Sequence, residues 1–116
     1  MYEYGAALER IVDGDTLDLI IDVGFKMTTN QRIRLANIDT PETFRVSRTS
    51  EEYKSGIEAR QYVEKRLADN QNKMRIKTYK NVGKYGRYLG EIWLADSEIS
   101  LNDELLQKGF AKKFEG

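Results

Sequence analysis

Leu17, Leu19, Ile21 and Val23 alternate with more polar neighbours, the period-two pattern of a half-buried strand. A turn around Gly24–Asn30 would return the chain. Ile33 and Leu35 then alternate with Arg32 and Arg34, which predicts a second strand ending near Ile38. Met74, Ile76 and Thr78 alternate with Lys73, Arg75 and Lys77, and Arg87–Leu94 forms a further strand rich in large side chains. Gly90 within it predicts a bulge or a barrel bend. Leu8–Val12 adds a strand ahead of the first. Helical spacing occurs twice. Ser55-Gly56-Ile57-Glu58 reads as a capping box with Ser55 as N-cap. Ala59, Tyr62, Val63 and Leu67 follow it at helical intervals, and Asp69-Asn70 can end the helix. Ser100 and Asp103 repeat a weaker cap before a short helix, Leu101–Lys108, which stops at Gly109. Trp93, Leu89 and Tyr62 fall at strand or helix spacing and are assigned to the core.

The order is therefore three strands, a helix, two strands and a helix. A parallel α/β fold needs strand–helix alternation, so it is excluded. A small closed sheet with a helix between its third and fourth strands matches an OB-type barrel. At 116 residues, without repeats, linkers or low-complexity tracts, the chain is expected to form a single domain over 1–116. The longest apolar run, Ile92–Ala95, is far too short to span a bilayer. Met1 is followed by a mixed polar stretch, so no signal peptide is expected. That suits a cytoplasmic or phage-encoded protein, or a mature secreted form.

Composition narrows the chemistry. Cysteine and histidine are both absent, which excludes disulfides, thiol nucleophiles, zinc fingers, imidazole bases and His-built metal sites. Carboxylates, Arg, Lys, Tyr and hydroxyls remain, and a metal held by them would sit among oxygens, as Ca²⁺ or Mg²⁺ do. Lys+Arg and Asp+Glu are both 19. Any attraction to nucleic acid must then be local, because bulk charge supplies none.

Three segments could carry such chemistry. In Asp13-Gly14-Asp15-Thr16, Gly14 allows a tight turn whose flanking acids can point to one place; the plain reading is a solvated Asp-Gly turn. In Arg34–Thr43, an extended backbone would put Arg34 on one face with Ala36 and Ile38. Asp39 ends the strand, and Pro41 constrains the turn that carries Glu42; the plain reading is ordinary strand-end punctuation. In Lys84-Tyr85-Gly86-Arg87, glycines at 83 and 86 allow a close backbone bend, and three side chains offer donors suited to phosphate; the plain reading is a polar hairpin loop. Phe44–Thr49, with Arg45 and Arg48, is either a source of further phosphate contacts or a solvated loop.

Taken together, DGDT at Asp13–Thr16, R-x-x-x-x-DTPET at Arg34–Thr43 and KYGR at Lys84–Arg87 resemble the staphylococcal (micrococcal) nuclease family, in order and separation and over nearly the whole chain. The resemblance implies a five-stranded OB-fold barrel with two to three helices. It also implies a one-Ca²⁺-dependent phosphodiesterase acting on DNA and RNA, single-stranded or frayed, leaving 3′-phosphate ends, with no membrane and no obligate protein partner. By position, Asp15 and Asp39 match its metal-binding carboxylates, and Thr40 the residue offering a backbone carbonyl. Glu42 matches the acid on the attacking water, Arg34 and Arg87 the arginines on the scissile phosphate, and Lys84 and Tyr85 the pair on a neighbouring phosphate. Asp13 matches an acid near the metal but outside its direct ligands. Two departures stand out: Gly83 occupies a place where an acid is common, and Phe114 and Glu115 fall near the positions of base-stacking tyrosines, Phe114 one position out of register. The alternatives are a catalytically weak or inactive nucleic-acid-binding barrel of the same family and an OB domain that binds only protein.

Overall fold

A computed structural model describes residues 2–82 and 88–114. Strands β1 (Tyr2–Asp13), β2 (Thr16–Gly24) and β3 (Met27–Leu35) form an antiparallel meander. A two-residue strand, β4 (Ile38–Asp39), and helix α1 (Glu51–Asp69) precede β5 (Lys73–Val82) and β6 (Tyr88–Trp93). Helix α2 (Leu101–Gln107) and the short β7 (Lys112–Lys113) complete the order. Five strands close into a barrel, β1-β2-β3-β6-β5, and β4 pairs with β7 outside it. Closure comes from the parallel β3–β6 pairing and the antiparallel β1–β5 pairing. This is the expected OB-type architecture.

The alternating residues read from the sequence point inward. Leu17, Leu19, Ile21, Ile33, Leu35, Ile76 and Ile92 are buried, joined by Val63 and Leu67 of α1 and by Leu101 and Leu105 of α2. Gly90 is small because the barrel interior is full: an added methyl would lie 3.0 Å from Ile76 Cδ1 and 3.1 Å from Ile33 Cγ2. Buried Asn102 ties α2 to the barrel. Its Nδ2 donates to the Ala36 and Gly90 carbonyls at 2.9 and 3.1 Å, and its Oδ1 accepts from Ile92 N at 3.2 Å.

Several sequence expectations shift. The first strand begins at Tyr2 rather than Leu8, because Tyr2–Ala7 pairs with β5, a long-range ladder that local periodicity does not reveal. The second expected strand breaks after Leu35, where Asn37 takes φ 67°, and resumes only as β4. Helix α1 starts four residues before the expected cap. Ser50 is the N-cap and accepts from Tyr53 N at 3.1 Å, Glu51 and Glu52 face the positive helix end, and Ser55 lies inside the helix. Trp93, Leu89 and Tyr62 are half-buried rather than core. Lys77 Nζ sits 4.6 Å from the Trp93 ring centre, and Tyr62 stacks on Phe110 at 4.5 Å.

The turn between β2 and β3 is tighter than the expected Gly24–Asn30, with only Phe25 and Lys26 between the paired residues Gly24 and Met27. Phe25 and Lys26 have φ of 56° and 60°, the left-handed pair of a type I′ hairpin, in which Asn-Gly is favoured. Phe25 is 98% exposed, so packing does not offset its backbone cost. The double substitution Phe25→Asn/Lys26→Gly should therefore stabilise the fold by about 1–2 kcal/mol, read as a rise in Tm.

Candidate functional site

The site is built where the β1–β2 turn meets the segment after β3. Gly14 is closely packed: a methyl there would lie 3.0 Å from Thr40 Oγ1 and 3.1 Å from Ala59 Cβ. With no side chain in the way, the 39–43 segment comes down onto the turn. Asp15, 7% exposed, accepts from Thr40 N at 3.0 Å through Oδ2 and from Thr16 Oγ1 at 3.0 Å through Oδ1. Asp13 Oδ1 accepts from Gly14 N and Thr43 Oγ1, both at 3.1 Å. The two acids flanking Gly14 thus hold opposite ends of Thr40-Pro41-Glu42-Thr43, the turn that carries Glu42.

Arg34 joins the acids. Its Nη2 lies 3.1 Å from Asp39 Oδ1 and 3.3 Å from Asp15 Oδ2, and its Nη1 donates to the Leu35 carbonyl at 2.9 Å. Carboxylates 24 positions apart in sequence therefore meet on one guanidinium nitrogen. The reason differs from the shared face expected with Ala36 and Ile38. Those two residues are buried, and the strand has ended at Leu35. Arg34 instead lies on the face opposite Ile33 and Leu35. Arg87, Lys84 and Tyr85, with Gly83, lie outside the described residues.

Negative charge dominates the described surroundings. Partial burial, then the Asp15 charge, pushes the Asp39 carboxyl above its ordinary value despite Arg34. Partial burial also raises Glu42, although solvent reaches it, and the charges of Asp13, Asp15, Asp39 and Glu52 raise it further. Burial raises Asp13 as well. This all-oxygen, charge-crowded donor set suits a hard dication. Among the described residues no group of three or more acidic side chains is placed to hold a metal ion by itself, and Asp15 and Asp39, which meet at Arg34, are the carboxylates that would hold one. Beside the site, Asp39, Glu42, Glu52, Lys108, Phe110 and Lys112 help line an open cleft of about 740 Å³, within the ~300–1,000 Å³ common for ligand sites.

Some contributors were not singled out from the sequence. Gly56 lets α1 touch the Glu42 turn: a methyl there would lie 2.7 Å from the Pro41 carbonyl oxygen and 2.7 Å from Thr43 Cγ2. A glycine inside a helical pattern is the available signal for such an approach. Thr16 and Thr43, which donate to Asp15 and Asp13, carry no signal beyond their place in the motifs. Phe114 reaches the site through the β4–β7 pairing: its N–H donates to the Asn37 carbonyl at 2.9 Å, and its ring centre is 5.6 Å from the Arg34 guanidinium carbon. Arg45 and Arg48 are exposed and make no ion pair among the described residues.

Away from the site, Arg66 bonds Asp96 through both terminal nitrogens at 2.8 Å and Glu104 at 2.6 Å; Tyr62 also donates to Glu104. The Arg66 bonds hold Asp96 down to about 2. Burial pushes Glu104 up, but its bonds to Arg66 and Tyr62 outweigh this and leave it below its ordinary value. Depressed carboxyls stabilise the fold above their unfolded values of 3.8 and 4.5 and lose that contribution as pH falls through the folded values. Raised carboxyls act in the opposite sense: protonating Asp13, Asp39 and Glu42 favours the folded chain. Thermal melts in chelator should therefore show Tm rising as pH falls from 7 toward about 4.5, then dropping toward about 2. Arg66→Met should flatten the lower limb, and a Tm that falls monotonically from pH 7 would contradict this balance.

The model of the staphylococcal nuclease homologue family matches residues 32–115. The chain is 32% identical over 105 residues to a thermonuclease of Staphylococcus intermedius, covering 90% of this chain and 56% of that one. It is 29% identical over 116 residues to the endonuclease YhcR of Bacillus subtilis, covering 97% and 9%, and 35% identical over 92 residues to a micrococcal nuclease of Shigella flexneri, covering 78% and 43%. It thus spans less than two thirds of each of these relatives. With a family match over most of its length and a closed five-stranded barrel, the chain belongs to the staphylococcal nuclease homologues.

Proposed function

We propose that residues 1–116 form a single-domain, Ca²⁺-dependent nuclease that hydrolyses phosphodiester bonds of DNA and RNA without sugar preference and leaves 3′-phosphate ends. The observation that carries the reading is the meeting of Asp15 and Asp39 on Arg34 Nη2, at 3.3 and 3.1 Å. A barrel has no structural need for this cluster, whereas phosphodiester hydrolysis needs positive charge on the phosphate beside an oxygen-lined cation site. The names of the relatives, two nucleases and an endonuclease, point the same way.

Asp15, Asp39 and the Thr40 carbonyl would hold the ion, which when bound polarises a phosphoryl oxygen and lowers the anionic barrier to attack. Glu42 orients the attacking water and takes its proton. Arg34 presents its planar fork to the phosphate, and Arg87 supplies the second guanidinium as charge grows on the non-bridging oxygens. Water adds to phosphorus in line, the bond to the 5′ oxygen breaks, and that oxygen leaves with a proton from solvent. Lys84 and Tyr85 bind a neighbouring phosphate and fix the register of the strand.

The test is digestion of single-stranded DNA and of RNA in Ca²⁺, in Mg²⁺ and in chelator, with the ends identified by phosphatase sensitivity. Cleavage of both in Ca²⁺, loss in chelator and 3′-phosphate products are expected. A folded protein inactive in Ca²⁺ favours the binding-module alternative. Arg87→Ala should lower kcat by about 10²–10³-fold and leave Tm nearly unchanged; equal loss of activity and stability would make Arg87 structural.

A further inference from the structure

Arg34 is held by charge on one side and by an aromatic ring on another. Its nitrogens engage Asp15, Asp39 and the Leu35 carbonyl, while the Phe114 ring lies over the guanidinium, 5.6 Å from ring centre to its carbon. That distance is within cation–π range. The ring is brought there by backbone bonds. Lys112 and Lys113 of β7 pair with Asp39 and Ile38 of β4, and Phe114 N donates to the Asn37 carbonyl at 2.9 Å. The segment that delivers Phe114 is therefore fastened to the same turn that delivers Asp39. Phe114 is 46% exposed and absent from the hydrophobic core, so its contact with Arg34 is not explained by packing of the barrel.

We infer that Phe114 is a positioning residue for Arg34: its ring fixes the plane of the guanidinium so that the fork meets the phosphate. The inference rests on the proposed role of Arg34. Its physical basis is independence from the acids. Carboxylates engaged with a cation hold an arginine less firmly, whereas the Phe114 ring and the Leu35 carbonyl are neutral partners whose grip persists. An arginine that keeps its plane loses less side-chain freedom when it bonds the substrate.

The experiment compares wild type, Phe114→Ala, Phe114→Leu and Phe114→Trp in the full chain by steady-state cleavage of single-stranded DNA in Ca²⁺, by Tm, and by the NMR signal of the Arg34 Nε–H. Expected are a fall in kcat of about tenfold or more for the alanine and leucine variants, KM within about twofold, Tm nearly unchanged, and recovery by tryptophan, the strongest cation–π partner. The Nε–H signal should broaden or exchange faster in the alanine and leucine variants only. A rise in KM with kcat intact would show that the ring stacks on a substrate base instead, and overturns the inference. So does a parallel fall of kcat and Tm, or an unchanged Nε–H signal. If the wild type itself cuts nothing, the nuclease reading fails separately, and the NMR comparison still decides whether Phe114 orders Arg34.

Discussion

Arg34→Lys should lower kcat for single-stranded DNA by about 10²–10³-fold with a much smaller change in KM. The substitution keeps the charge and removes the geometry. Lysine offers one compact ammonium, whereas Arg34 reaches Asp15, Asp39 and the Leu35 carbonyl from two nitrogens of one plane. If charge alone served the reaction, lysine would suffice. If the fork must meet two phosphoryl oxygens as charge develops on them, lysine meets only one. Steady-state kinetics at saturating Ca²⁺ separate the two, and a lysine variant within about threefold of wild type would show that Arg34 acts as a point charge.

Gly56→Ala should lower both stability and activity, the stability change having a sign opposite to the one helix propensity gives. In an exposed helix interior the change stabilises by about 1 kcal/mol. Here the new methyl would lie 2.7 Å from the Pro41 carbonyl oxygen and 3.1 Å from that of Glu42. Both are backbone atoms, so the turn or the helix must move. A net loss of up to about 2 kcal/mol is expected, the overpacking cost of about 1–3 kcal/mol less the propensity gain of about 1 kcal/mol. The displaced turn is the one that carries Glu42, so kcat should fall about 10–100-fold as the base leaves its place. Denaturant melts and kinetics on the same preparation check both halves. A raised Tm with full activity would show that the helix and the turn are not packed as described.

The barrel was legible because its strands bury one face each, and a buried face writes itself as alternation: Leu17, Leu19 and Ile21 all point inward. Elements defined by pairing alone were not legible. β7 is Lys112–Lys113, exposed on both residues, and nothing in two lysines announces a ladder with Ile38 and Asp39. The cap of α1 is not legible because Ser55-Gly56-Ile57-Glu58 satisfies the capping pattern, while the true cap, Ser50, is followed three residues on by Tyr53. Once Ser55 is inside the helix, Gly56 stops being part of a cap and becomes the point of contact with the Glu42 turn.

The site divides in the same way. That Asp15 and Asp39 would converge followed from the motifs and the family resemblance. That they would converge on Arg34, with Phe114 above it, depended on the strand ending at Leu35 and on the tail returning to Asn37. Such contacts arise from tertiary geometry and leave no periodic trace. Asp13 was expected near the site, and the structure gives it a mechanical part: its bond to Thr43 Oγ1 anchors the far end of the turn that carries Glu42.

The most direct measurement is a Ca²⁺ titration followed by backbone amide NMR. One saturating site is expected, with the largest shifts at Asp15, Asp39 and Thr40, and loss of those shifts in Asp15→Asn. Shifts spread along the acidic first turn of α1, or a titration indifferent to Asp15→Asn, would contradict it.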